Sequence, residues 1–383
     1  MTQHTSIGPA PIRFIDLAAQ QRRLGDSIER AISRVLAHGQ YVLGPEVRML
    51  EADLAQFCGA REVVSCDNGT DALGLVLMAK GVGPGQAIFC PSFTFAATAE
   101  VVAWFGAIPV FVDVHADTFN MDAMSLESGI AVAKRQGLAP VGVIPVDLFG
   151  QAVDYDGIES VCTAHGLWIL ADAAQSFGAS YKGRKIGTFG LATSTSFFPS
   201  KPLGCYGDGG AIFTDDADLA ALLRSLRMHG EGIDKYDNVR VGMCARLDTI
   251  QAAVLIEKLK IFPEEIARRD AIAARYSAAL SDVAVVPKLL NGCESVWAQY
   301  TIKVDAAQRD RLADALNDEG IPTAIYYPKP LHQQGAYRDC PIAGNGLPVS
   351  ETIAHEVISL PMHPYLESEV QDLIVDSVRR LLR

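Results

Sequence analysis

The sequence predicts an α/β protein with a large, mostly parallel sheet domain and a smaller α+β domain. The chain has 383 residues, which is more than one ordinary domain usually holds. Short β-rich runs alternate with helical patterns over roughly its first two thirds, as in parallel sheets covered on both faces. The pattern then changes. We therefore expect an N-terminal arm and large domain over residues 1–257, and a small C-terminal domain over residues 258–383.

Seven β-rich runs are predicted to form the strands of the large sheet. They are Glu62–Cys66, Ala87–Pro91, Ile108–Val114, Gly142–Leu148, Leu167–Ala171, Thr193–Phe198 and Ala211–Thr214. Helical patterns precede or follow many of them, after a short arm over residues 1–24. These predicted helices are Gly25–His38, Thr70–Lys80, Phe95–Trp104, Asp154–His165 and Arg246–Leu259. In such a sheet the active site lies at the carboxyl ends of the strands.

The C-terminal part has shorter signals of both kinds. Trp297–Val304 and Thr323–Tyr327 are predicted strands, and Ala306–Glu319 is a predicted helix. The sequence Ser368-Glu-Val-Gln371 has the spacing of a capping box, which indicates the start of a last helix.

Composition excludes several classes of protein. Apolar residues make up 49% of the chain and charged residues 20%, as in soluble globular proteins. The net charge of −12 argues against nucleic-acid and membrane-surface binding. The first residues do not read as a signal peptide, and no apolar run reaches the ~18 residues of a membrane span. The eight cysteines form no C-x-x-C pair and no zinc-type spacing, so we expect no metal site and reduced thiols in a cytoplasmic enzyme.

Asp172 ends an apolar run within LWILADAAQSFGA. An acidic side chain at the carboxyl end of a buried strand can point into a cleft. The commonest role of an Asp after a strand is to cap a helix, so this residue alone leaves both interpretations open.

Lys201 lies between a hydroxyl-rich strand and a glycine-rich stretch, in STSFFPSKPLGCYGDGG. A lysine in apolar surroundings has a lowered pKa and can act as a nucleophile. The alternatives are a solvated surface lysine and glycines that serve only in turns.

The segment Asn68-Gly-Thr-Asp71-Ala-Leu follows a predicted strand and opens a predicted helix. The hydroxyl of Thr70 and the free N–H groups of a first helical turn can bind a phosphate. A capped helix start with no ligand has the same signature.

The order of these three features is more informative than any one of them. A phosphate seat, an acid after a later strand and then a lysine are what pyridoxal phosphate requires. The lysine forms the Schiff base, the acid keeps the pyridine nitrogen protonated, and the helix start holds the phosphate.

A set of segments spread along the chain resembles the DegT/DnrJ/EryC1/StrS family of sugar aminotransferases, which have the pyridoxal-phosphate fold type I of aspartate aminotransferase. The segments are GTDAL (69–73), PSFTFAATAE (91–100), PVFVDV (109–114), DAAQSFGA (172–179), SFFPSKPLGCYGDGGA (196–211), RLDTIQAA (246–253) and PLHQQ (330–334).

The resemblance implies a role for each candidate residue. Lys201 is the cofactor lysine and also the base that shuttles the proton, and Asp172 pairs with the pyridine nitrogen. The other implied cofactor contacts are Gln175 at the ring hydroxyl, Phe95 stacked on the ring, and Gly69, Thr70 and Ser196 at the phosphate. An aromatic face suits a flat ring, although Phe95 could also be a core residue.

Two positions depart from the family pattern. Cys244 stands where the family usually has an Asn that reaches the partner subunit's cofactor phosphate, and a thiol is the poorer donor. Tyr326, an implied substrate-binding residue, stands where the family often has His.

The resemblance also implies a homodimer and a reaction in two halves, with L-glutamate as the amino donor and a UDP keto sugar as the acceptor. Two segments, SFFPSKPLGCYGDGGAIF and SLPMHPYL, most resemble enzymes that aminate C3 of UDP-2-acetamido-2-deoxy-3-oxo-glucuronate. Arg246 could then bind the C6 carboxylate, or it could be a structural ion pair. Such products feed lipopolysaccharide or O-antigen synthesis.

The alternatives are transfer to another 3- or 4-keto sugar, a sugar dehydratase of the same fold, and a non-catalytic regulator. Lys201 argues against the dehydratase, and the set of Lys201, Asp172 and Gln175 argues against the regulator.

Overall fold

The computed structural model describes residues 11–234 and 236–383, so residues 1–10 of the predicted arm lie outside the described part. The helices are α1 Leu17–Leu24, α2 Ser27–His38, α3 Pro45–Cys58, α4 Gly69–Ala79, α5 Ala97–Trp104, α6 Ala123–Arg135, α7 Tyr155–His165, α8 Ala217–Leu226, α9 Thr249–Leu280, α10 Ala306–Asp318, α11 Pro348–Glu356 and α12 Ser368–Leu382. The strands are β1 Glu62–Cys66, β2 Gln86–Pro91, β3 Ile108–Val112, β4 Ala139–Val143, β5 Trp168–Asp172, β6 Ser180–Tyr181, β7 Arg184–Lys185, β8 Ala192–Ser196, β9 Gly210–Thr214, β10 Cys293–Glu294, β11 Tyr300–Lys303 and β12 Val357–Leu360.

Seven strands form one large sheet in the order β1-β9-β8-β5-β4-β2-β3. Six of them are parallel, and β9 runs antiparallel to both of its neighbours. Strands such as β3 and β9 are nearly or wholly buried because helices pack on both faces of the sheet, which explains their continuous apolar sequences. The prediction of a large, mostly parallel seven-stranded sheet is confirmed.

The fourth strand lies earlier than predicted. β4 ends at Val143, and the chain beyond it makes only a single bridge between Val146 and Asp172. Pro145 lies in this stretch and has no N–H to donate, so the regular ladder does not extend through it. The predicted run Gly142–Leu148 therefore overlaps the strand by only two residues.

Helix α9 is longer than the predicted helix Arg246–Leu259. It begins at Thr249 and continues to Leu280 through Pro263, so Arg246 lies before the helix. The predicted boundary between residues 257 and 258 falls inside it. Residues of α9 on either side of Pro263 belong to two different hydrophobic clusters, one against the large sheet and one against the C-terminal elements. This single helix therefore connects both cores.

The small sheet consists of β11 paired with β12 in antiparallel register. The predicted strand Thr323–Tyr327 is wrong, because only Ala324 pairs, through one bridge to Ser359. The predicted last helix is found and begins at Ser368, but its predicted capping box is wrong, because Glu367 is the N-cap and makes no side-chain cap hydrogen bond. Gln371 is buried and its side chain donates to the carbonyl of Ile272, so it ties α12 to α9 and does not cap the helix.

None of the described helices is long and apolar enough to cross a membrane.

Candidate functional site

Three neighbouring strands, β1, β9 and β8, are paired in register beside the site, so that one residue of each forms a row across the sheet. Cys66 of β1 pairs with Gly210 of β9, and Gly210 pairs with Ser196 of β8. The row brings the start of α4, which follows β1, against the end of β8. The packing is close, since a Cβ on Gly69 would lie 2.6 Å from the Cβ of Ser196. Only glycine fits at this position, and the result is a cradle between a helix start and a strand end.

The start of α4 in this cradle has backbone N–H groups that are free to bind a ligand. Asn68 caps α4 with its side-chain oxygen, which accepts from the N–H of Asp71 at 2.7 Å. Among the described residues, the N–H groups of Gly69 and Thr70 have no hydrogen-bond acceptor. With the positive end of the helix dipole, they form a seat suited to a phosphate group.

Asp172 ends β5 and is buried. Its Oδ1 accepts from the N–H of Ala174 at 3.1 Å and its Oδ2 from the hydroxyl of Thr98 at 3.1 Å. Burial raises the pKa of this carboxyl, while the bond from Ala174 and the charge of Lys201 act in the opposite direction. Asp172 thus caps the turn after the strand, but no helix follows it directly, so the helix cap of the alternative interpretation is not found. Its charge also acts on Lys201.

Lys201 lies in the loop that joins β8 to β9. Its own N–H donates to the carbonyl of Phe198 at 2.8 Å, which closes a tight turn at the end of the strand. Desolvation lowers the pKa of the Lys201 ammonium, and the nearby charge of Asp172 partly offsets that effect. The residue is also only partly exposed, so it is not a fully solvated surface lysine.

Gln175 lies in the turn after β5 with both ends of its amide occupied. Its Oε1 accepts from the N–H of Phe149 at 2.7 Å, and its Nε2 donates to the hydroxyl of Tyr327 at 3.2 Å. Because the oxygen is held by a backbone N–H, the amide nitrogen is the end that points to Tyr327. The ring of Phe95 lies 6.4 Å from that of Tyr327, and Phe95 is 59% exposed, so it is a surface of the site and not a core residue.

Arg246 contacts a residue of its own loop, and Tyr326 lies beside Tyr327. Arg246 is half-buried, and its Nη2 donates to the sulfur of the exposed Cys244 at 2.9 Å. Tyr326 packs near Phe14, with ring centres 6.5 Å apart. Within the described parts of the chain no carboxylate pairs with Arg246, so the structural ion pair considered as its alternative is not found there.

Sequence reasoning missed three residues of the site. Thr98 and Tyr327 contact Asp172 and Gln175, respectively. Asp147 is fully buried behind them and accepts from the N–H of Val153, from Ser176 and from a tyrosine hydroxyl. No signal in the sequence pointed to these partners, because each pair is brought together by strand order.

The described residues fit pyridoxal phosphate. A phosphate would accept from the free N–H groups of the cradle at Gly69, and a protonated pyridine would give the buried carboxyl of Asp172 the positive partner that favours its ionised form. The charge of that acid acts on Lys201, whose pKa is lowered by desolvation, and such an amine could attach an aldehyde covalently. Together with the seven-stranded sheet, this chemistry defines a pyridoxal-phosphate-dependent transaminase of fold type I.

The chain belongs to the DegT/DnrJ/EryC1/StrS aminotransferase family, whose pattern matches residues 22–379. It is 49% identical to a UDP-2-acetamido-2-deoxy-3-oxo-D-glucuronate aminotransferase of Pseudomonas aeruginosa, over 93% of this chain and 96% of that protein. It is 39% identical to a UDP-N-acetyl-3-dehydro-alpha-D-glucosamine 3-aminotransferase of Acidithiobacillus ferrooxidans, over the whole of both chains. A crystal structure of a family member from Brucella abortus superposes with a TM-score of 0.95 at 53% identity, covering 97% of this chain and 99% of that one.

Proposed function

We propose that this aminotransferase moves an amino group from L-glutamate to C3 of UDP-2-acetamido-2-deoxy-3-oxo-D-glucuronate. The observation that carries the choice of substrate is Arg246, a half-buried guanidinium with no carboxylate partner among the described residues, in a chain 49% identical to an enzyme named for that acid sugar. A C6 carboxylate would accept a bidentate pair from such a group.

The site residues have the following roles in this reaction, and Lys201 has two. Lys201 holds the cofactor covalently, and its amine, with a lowered pKa, then moves the proton at the reacting carbon. Asp172 keeps the pyridine nitrogen protonated. Pyridoxal phosphate supplies an electron sink when bound. The remaining contacts are Gly69, Thr70 and Ser196 at the phosphate, Phe95 on the ring, Gln175 at the ring hydroxyl, and Tyr326 at the substrate.

The proposal extends to a homodimer in which the loop over residues 239–246 completes the partner's site. Support comes from apolar side chains on and beside that loop, since Ile233, Val239 and Val241 are exposed. Cys244 lies on the same loop and would be a weaker phosphate donor than the family's Asn. Equilibrium sedimentation at assay concentration tests the dimer, and a fully active monomer would refute it.

We further propose a cytoplasmic enzyme that serves lipopolysaccharide or O-antigen synthesis.

The test of the substrate compares kcat/KM for the acid sugar and for UDP-3-keto-N-acetylglucosamine. Arg246→Ala should lower the value for the acid sugar roughly ten- to hundredfold, because a partly buried charged pair contributes about 1.5–3 kcal/mol. The neutral sugar should change far less, since it has no group to pair with Arg246. Arg338→Ala, at an exposed arginine that pairs with the adjacent Asp339, is the control and should spare both substrates.

Equal losses on the two sugars would mean that Arg246 is structural. A wild-type enzyme that prefers the neutral sugar would favour the second candidate, the 3-aminotransferase activity for which the Acidithiobacillus relative is named.

A further inference from the structure

A buried lysine outside the site holds the loop that carries Lys201. Lys258 lies on α9 and is only 1% exposed. Its Nζ donates to the carbonyl of Gly204 at 2.6 Å and lies 4.4 Å from the ring centre of Tyr206. Lysine is rarely buried to this degree unless it is paired. A partner of this kind therefore indicates a specific task for the ammonium group.

Gly204, which Lys258 holds, packs against the turn before Lys201. A Cβ on Gly204 would lie 2.6 Å from the carbonyl oxygen of Phe198 and 2.5 Å from that of Pro199. The backbone of Gly204 thus rests directly on the two residues that lead into the lysine. The N–H of Lys201 donates to the same Phe198 carbonyl at 2.8 Å. A shift of Gly204 would therefore move the main chain of Lys201.

A second side chain on the same face of α9 supports this arrangement. Gln251 lies two turns before Lys258, and its Oε1 accepts from the N–H of Tyr206 at 2.8 Å. Its Nε2 donates to the carbonyl of Tyr206 at 3.3 Å. Residues seven apart on a helix face the same way. One face of α9 therefore holds the loop at two nearby points, Gly204 and Tyr206.

We propose that Lys258 is a positioning residue for transamination, which acts through Gly204 to set the place of the Lys201 amine. The inference rests on the proposed role of Lys201 as the cofactor lysine. Because α9 continues through Pro263 to the C-terminal core, the same contact joins the position of Lys201 to the elements packed around that end of the helix.

The test uses Lys258→Met, which keeps the length and apolar stem of the side chain and removes its donors. Lys260→Met is the matched control, since Lys260 lies on the same helix but pairs at the surface with Glu257. A displacement of about 1 Å at a reacting group lowers rates by roughly a hundredfold. We expect Lys258→Met to lower kcat ten- to hundredfold while KM for glutamate changes less than threefold.

Two further readouts separate positioning from a loss of stability. The absorbance titration of the cofactor–lysine linkage should shift by at least half a pH unit in Lys258→Met and remain unchanged in Lys260→Met. The association rate of cofactor with the apoenzyme should fall in the first variant only. Lower thermal stability with wild-type titration and kcat would overturn the proposal. If Lys258→Met does not fold, Gln251→Leu is measured in the same way, and wild-type behaviour there also overturns it.

Borohydride reduction and peptide mapping of the wild-type holoenzyme distinguish a failure of the positioning role of Lys258 from a failure of the proposed function. A label on Lys201 with no effect of the α9 variants refutes only the positioning role. A label on another lysine refutes the assignment of Lys201 and the positioning role with it.

Discussion

Replacement of Gly69 by Ala tests the cradle between α4 and β8. The new Cβ would lie 2.6 Å from the Cβ of Ser196 and 3.2 Å from its Cα. Both atoms belong to the rigid part of Ser196, so rotation of a side chain cannot relieve the contact. Raising the shorter distance to the 3.4 Å of ordinary contact requires the helix start to move by about 0.8 Å.

The magnitude follows from that displacement. Overpacking of this kind costs about 1–3 kcal/mol of stability. Hydrogen bonds to a charged group contribute about 1.5–3 kcal/mol each, so loss of one phosphate contact should weaken cofactor binding roughly ten- to hundredfold. We expect Gly69→Ala to lower the Tm of the apoenzyme modestly and to raise the Kd for pyridoxal phosphate by that factor.

The assay is a titration of apoenzyme with pyridoxal phosphate, followed by absorbance, beside thermal unfolding of the apoenzyme. Gly74→Ala is the matched control on the same helix, since its Cβ would meet the ring of Trp104 at 3.4 Å, an ordinary contact. Alanine is the better helix former there by up to about 1 kcal/mol. A Gly69→Ala enzyme that binds cofactor within threefold of wild type would refute the cradle as a phosphate site.

Three further predictions concern charge and donors. Asp172→Asn should keep the fold and bound cofactor but lower kcat more than tenfold, because the near-isosteric amide cannot hold the pyridinium proton; a smaller loss would leave Asp172 as a turn cap only. Burial lowers the pKa of Lys258 to about 8, so the native state binds fewer protons than the unfolded one between pH 8 and 10.5. Stability should therefore rise with pH there, by at most about 1.4 kcal/mol per unit, and Lys258→Met should remove that slope in denaturant titrations. Cys244→Asn should be tolerated and should tighten cofactor binding, since an amide donates to phosphate better than a thiol; weaker binding in the same titration would show another role.

The sequence predicted the sheet because burial on both faces leaves uninterrupted apolar runs, as in β3 and β9. It placed β4 too late because an apolar run does not reveal that Pro145 interrupts the ladder. The predicted end of α9 at Leu259 was too early. A proline such as Pro263 usually signals a helix end, but here the helix continues through it.

Some residues of the candidate site could be predicted from the sequence and others could not. Lys201 and Asp172 were predicted from local signals, an apolar strand end beside a reactive side chain. Their supporting residues could not be predicted that way. Asp147 and Lys258 become meaningful only through partners such as Gly204, and those contacts depend on strand order and helix register.

The row Cys66–Gly210–Ser196 has a consequence for the order of folding. Its outer strand, β1, comes early in the chain, but its partner β9 comes only after the rest of the large sheet has been traversed. Contacts between such distant segments form slowly, because a long loop must close first. The phosphate cradle therefore cannot exist in a partly folded chain that has paired only its early strands. During refolding, competence to bind the cofactor should thus appear with the last sheet pairing and later than most of the helical signal.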